Sequence, residues 1–156
     1  MKTFLLCASL LGALGWTTGA MAHEGGVKIG TLSCHEKSGW GFILGSSRPV
    51  RCFYSGINGR ARYDGRISRF GVDIGYQGPS NFVWAVFAPT ERLGPGALDG
   101  HYGGVTAGAA VGVGLGANAL IGGSERTIAL QPLSVEGRTG FDVAAGIGAL
   151  NLHEVR

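Results

Sequence analysis

Apolar and polar residues alternate with a period of two along most of this chain, and no segment sustains the spacing of an amphipathic helix. Val27 to Cys34 reads as a strand. Gly39 to Gly45 sets Trp40, Phe42 and Leu44 on one face. Gly45 to Pro49 reads as a turn, because proline fixes φ and small polar residues favour reversal, and Val50 to Tyr54 reads as the next strand. Asn58-Gly59 signals a tight turn. After it, Arg60, Arg62, Asp64, Arg66 and Ser68 share one face, and Ala61, Tyr63, Gly65 and Ile67 the other. The apolar positions then change phase to Phe70, Val72 and Ile74. A one-residue slip flips the faces, so a bulge or turn is expected near Ser68 and Arg69.

Phe82 to Ala88 is apolar on both faces, the pattern of a central strand. Pro89 to Gly100, rich in glycine and proline, reads as a loop. Gly103 to Gly123 is nearly uncharged, which invites a transmembrane helix. Yet Val111, Val113 and Leu115 alternate with Gly112, Gly114 and Gly116. Each glycine costs a helix interior about 1 kcal/mol relative to alanine, so a bent or broken strand is preferred. With Thr127 to Val135 and Phe141 to Leu152 the chain holds about eight short strands. The expected fold is all-β, a small antiparallel β-sandwich or barrel.

Composition changes this picture at the N-terminus. Lys2, the apolar run Phe4 to Leu14 and the small residues of Ala20-Met21-Ala22 have the three parts of a cleavable signal peptide over residues 1–22. The run is shorter than the roughly 18 residues that span a bilayer. Residues 23–156 then form a single domain, and its address is periplasmic or secreted. Loss of Lys2 lowers the net charge from +3 by one, a balance that does not suit nucleic acid. The 30 glycines accompany too much aliphatic and aromatic content for a disordered chain, so they serve a folded backbone. Cys34 and Cys52 remain after cleavage. An even count in an exported chain reads as a disulfide; metal binding is the alternative, but close CxxC or HxxxH spacing is absent.

Several blocks carry a family resemblance: Gly39-Trp40-Gly41-Phe42, Phe70-Gly71-Val72-Asp73-Ile74-Gly75, Trp84-Ala85-Val86-Phe87-Ala88-Pro89, Gly112-Val113-Gly114-Leu115-Gly116-Ala117-Asn118 and Leu130-Gln131-Pro132-Leu133-Ser134-Val135. The chain resembles the proteobacterial domain-of-unknown-function family DUF992 across essentially the whole mature length. The resemblance implies a small exported protein of a Gram-negative bacterium and carries no activity, cofactor or catalytic residue. The Gly/Ala-rich half is also loosely similar to SYLF lipid-binding modules.

Candidate chemistry is sparse. Gly114-Leu115-Gly116-Ala117-Asn118-Ala119 nearly fits a dinucleotide loop, but β alternation runs through it. No GxSxG or HExxH occurs, no cofactor is expected, and no metal site is expected. His23 would need His35, His101 or His153 nearby to chelate copper, and no spacing supports that. Arg60, Arg62 and Arg66, with Arg51, form a candidate stripe for an anionic surface, against the plain reading of a solvated strand face. Trp40 and Trp84 are candidate aromatic contacts. The leading expectation is a non-enzymatic domain with a binding or structural role in the cell envelope. The alternatives are a lipid- or glycan-binding module whose partner is an envelope component or anionic lipid, an undetected hydrolase, or an outer-membrane barrel. Short irregular strands and the Glu154-Val155-Arg156 end argue against the last.

Overall fold

The computed structural model describes residues 26–41, 46–69, 75–104, 119–135, 138–139 and 147–156. Its strands are β1 (Val27–Glu36), β2 (Gly39–Gly41), β3 (Ser46–Gly56), β4 (Gly59–Arg69), β5 (Gly75–Gln77), β6 (Ser80–Ala88), β7 (Gly100–Gly104), β8 (Leu120–Gly122), β9 (Ile128–Val135), β10 (Arg138–Thr139) and β11 (Ile147–Val155), with one 3₁₀ turn at Ser124–Arg126.

Eight strands close into a barrel in the order β1, β3, β4, β11, β7, β8, β9, β6 and back to β1. Every pairing is antiparallel. Closure leaves no open edge in the ring, and β10 folds back on β9 as a short extension. The choice between sandwich and barrel is thus decided by the β8–β9 pairing, which joins the two halves of the sheet. β2 and β5 form a separate ribbon.

The period of two sorts side chains between lumen and exterior. Ile29, Leu32 and Cys34 of β1, Val50, Cys52 and Tyr54 of β3, Tyr63 and Ile67 of β4, and Phe82, Trp84, Val86 and Ala88 of β6 all point inward and are buried. Tyr102, Leu120, Ile128, Leu130, Leu150 and Leu152 complete one contiguous core. Eight strands make a lumen just wide enough for side chains to fill, so this interior is packed rather than open. Cys34 and Cys52 face each other across β1 and β3 and are joined by a disulfide within that core. A loop of 18 residues closed this way stabilises by about 3 kcal/mol in the chain-entropy model.

At the lower end, the Pro89–Asp99 connection crosses beneath the barrel and buries Leu98 as a plug. Tyr102 donates its phenol to the Leu98 carbonyl at 2.9 Å, and Tyr54 donates to the Ile29 carbonyl at 2.9 Å. Burial pushes the Tyr63 phenol up to about 12, helped by the nearby charges of Glu154 and Asp99. Burial also raises Tyr102 strongly, with Tyr63 and Asp99 adding to the effect.

The structure revises one local expectation and locates another. Ser46 to Pro49 belong to β3 rather than to a turn. Pro49 is tolerated because its nitrogen faces the β1 side just past the last β1–β3 pair, Glu36 with Val50, while its carbonyl accepts from Lys37 N–H at 3.2 Å. The irregularity expected near Ser68–Arg69 falls on the partner strand, between Ile147 and Ala149 of β11, and Arg69 stays in phase with Ile67, inward. Phe42, Leu44, Phe70, Val72, Ile74, the 1–22 segment and the glycines 112, 114 and 116 lie outside the described residues.

Candidate functional site

The outer surface of β3 and β4 brings the candidate arginines together. On β4, Arg60, Arg62 and Arg66 all point outward, and Arg51 projects from the same face of β3. Same-face residues on a strand repeat at about 7 Å, so the three β4 guanidiniums extend over roughly 20 Å of wall. The register supplies their neighbours. Arg62 lies between Phe53 of β3 and Val155 of β11, Arg60 opposite Ser55, and Arg66 between Pro49 and Asn151. Arg51 and His153 flank Asp64, which is the acid on this wall among the described residues. No ion pair joins Asp64 to Arg51, Arg60, Arg62 or Arg66. Arg66 donates from Nε to Ser47 Oγ at 3.4 Å.

Apolar side chains interleave with these cations. Phe53 is 56% exposed and Ile57, at the tip of the β3–β4 turn, is 60% exposed. Val155 stands beside them on the other side of Arg62. The lower rim therefore presents arginines and bulky hydrophobic groups side by side. Neither Phe53 nor Ile57 stands out in the sequence as a surface residue. Their only signal is parity: Phe53 alternates with the inward Cys52 and Tyr54.

The two candidate tryptophans, Trp40 and Trp84, do not converge. Trp40, on β2, is 69% exposed and meets Tyr76 of β5 edge-to-face at a centroid distance of 6.0 Å. Trp84 is 1% exposed, inside the barrel, and has no surface to offer a partner. Its inward phase on β6 places it there, because that strand is buried on both faces and its larger side chains fill the lumen. The histidines are similarly dispersed. His35 Nδ1 pairs with Asn81 Oδ1 at 2.8 Å, and His101 Nδ1 with Asn151 Oδ1. His153 stands across from Asp64, and His23 lies outside the described residues. Among the described residues no three His, Cys, Asp or Glu side chains gather.

At the upper end the lumen holds a charged cluster that composition does not announce. Glu36 is fully buried. It accepts from Arg69 Nη2 at 2.6 Å and from Ser80 Oγ at 2.7 Å, and Arg48 Nη1 lies 3.4 Å away. Arg69 also stacks over the Phe82 ring at 5.0 Å. Buried charges are tolerated when paired and hydrogen-bonded; here Oε2 takes both hydrogen bonds, whereas the buried Oε1 is held only by the charge of Arg48 at 3.4 Å. The signal was in the alternation. Glu36, Arg48 and Arg69 sit two residues beyond Cys34, Val50 and Ile67, so each shares the parity of the core.

Among the described residues, no helix is long and apolar enough to cross a membrane. No curated protein and no solved structure matches the chain. The family model described as protein of unknown function, DUF992, matches residues 14–153, nearly the whole length, and the chain belongs to that family.

Proposed function

We propose that this is an exported, non-catalytic β-barrel that docks on an anionic lipid surface through the lower part of its β3–β4–β11 wall. Export is supported by the signal-peptide pattern of residues 1–22 and by the Cys34–Cys52 disulfide. The observation that carries the docking reading is the row Phe53, Arg62, Val155 beside Arg60 and Ile57: cations alternating with exposed apolar groups. Arginines near an anionic leaflet are attracted by about 1 kcal/mol each, and the apolar groups gain by leaving water at the acyl boundary. A solvated strand face has no need of exposed phenylalanine and isoleucine between its charges.

The test is co-sedimentation of mature protein with vesicles of phosphatidylcholine, alone and with phosphatidylglycerol. Binding should require the anionic lipid and weaken with salt. Charge reversal of Arg60, Arg62 and Arg66 should reduce affinity by more than a hundredfold, from about 3 kcal/mol of lost attraction. Binding that ignores charge reversal would refute the reading.

A second reading is favoured by the exposed Trp40–Tyr76 pair. Such a pair can stack on sugar rings, and binding of an envelope polysaccharide that is lost in Trp40→Ala would select this reading instead.

A further inference from the structure

The rim beside the docking wall carries a cleft of about 220 Å³ between the Leu93–Leu98 loop and the ends of β4 and β11. At ~30 Å³ per water it has room for roughly seven water-sized groups. Arg60 and Glu154 both line it, yet no ion pair joins them. The Glu154 backbone N–H donates to Asp99 Oδ1, which draws a second carboxylate to the same end. Both carboxylates act on Tyr63, which lines the cleft and is held protonated to about pH 12 by burial and their charge. Glu154 Oε2 and Asp99 Oδ2 both lie beside Gly96, so the loop side is negative, while Arg60 brings positive charge from β4.

The cleft also opens onto a second depression on the docking wall, lined by Phe53, Arg62 and Val155 and sharing Tyr54, Arg60, Ala61 and Glu154. Phe53, Val155 and both arginines line the wall depression, and the two carboxylates meet at Gly96, which lines the cleft but not that depression.

We propose that this cleft receives the aminoethyl phosphate headgroup of a phosphatidylethanolamine. From the acyl chains outward that lipid presents hydrocarbon, then phosphate, then a primary ammonium, to match the apolar groups and arginines of the wall and the carboxylates at the loop. The phosphate meets Arg60 and Arg62, and the ammonium donates to Glu154 and Asp99. A trimethylated amine has no N–H to donate and is larger, so a choline headgroup fits less well. The inference rests on the membrane-docking reading and deepens it by naming the lipid.

The experiment compares vesicles of equal phosphatidylglycerol content whose neutral lipid is either phosphatidylcholine or phosphatidylethanolamine. Wild-type protein should bind the ethanolamine set up to about fivefold more tightly, the range of one partly exposed charged contact. Glu154→Gln keeps the shape of the side chain and removes its charge. It should lose that gain and keep its dependence on phosphatidylglycerol. Equal binding of wild type to both sets, or a gain that survives in Glu154→Gln, overturns the headgroup site and leaves the docking reading standing. Failure to bind either set overturns the docking reading itself. A measurement independent of any variant is titration with O-phosphoethanolamine. It should shift the amide resonances of Ala97 and Glu154, while phosphocholine leaves them in place; the absence of shifts likewise overturns the site.

Discussion

Glu36→Gln should destabilise this barrel far more than a surface carboxylate change would. The Glu36 side chain is fully buried, 2.6 Å from Arg69 and 3.4 Å from Arg48, with Ser80 donating at 2.7 Å. Glutamine preserves volume and shape, so packing contributes little to the difference. What changes is charge: both guanidiniums lose the carboxylate they share, in a part of the lumen where water does not replace it. Removing one partner of a buried pair costs about 3–5 kcal/mol. Domains of this size hold about 5–15 kcal/mol in total. With a urea slope of about 2 kcal/mol/M, the unfolding midpoint should fall by roughly 2 M. Equilibrium urea denaturation with the disulfide intact measures this directly. A cycle with Arg69→Met isolates the pair, and the coupling energy should exceed about 1.5 kcal/mol. A loss below about 1 kcal/mol in Glu36→Gln, with no coupling to Arg69, would show that the cluster is not the paired buried charge described above.

Gly65→Ala should prevent folding or cost more than about 3 kcal/mol, because an added Cβ would stand 1.8 Å from the Asn151 carbonyl where β4 meets β11. By contrast, Gly59→Ala meets no neighbour and should cost only about 1 kcal/mol, from its φ of +99°; thermal melts of the two variants compare them. Stability should also fall at alkaline pH. Tyr63, raised to about 12, and Tyr102, raised further, stabilise the fold fully below the unfolded tyrosine value near 10, and that contribution is lost as pH rises through the folded values. Absorbance at 295 nm should show these phenols ionising only with unfolding. In the mature protein, iodide should quench the red-shifted emission of exposed Trp40 and leave the blue-shifted emission of Trp84, and Trp40→Phe should abolish the quenchable fraction.

The period of two, read residue by residue, was enough to establish the all-β class and the two faces of β4, because lumen and solvent impose opposite demands on alternate side chains. The Arg60, Arg62 and Arg66 face was legible for the same reason. The unbroken apolar run of β6 matched its burial on both faces, although in a closed ring no strand is central. The disulfide followed from the even count of cysteines after residue 22 and the export pattern read at the N-terminus, and directly opposed positions on neighbouring strands make it geometrically simple.

Closure was not legible. Whether eight alternating strands wrap into a barrel or stack as a sandwich depends on which edges meet, and the β8–β9 pairing is a long-range choice that local pattern does not encode. The fate of Trp84 turned on the same point, since only closure makes its face a lumen. Tertiary structure also decided the sites. It set Phe53 and Val155 on either side of Arg62, brought Glu154 to the cleft beside Arg60, and drew Glu36, Arg48 and Arg69 from three strands to one end of the lumen. Alternation along one strand tells each side chain which way to face; only register between strands tells it what it will meet.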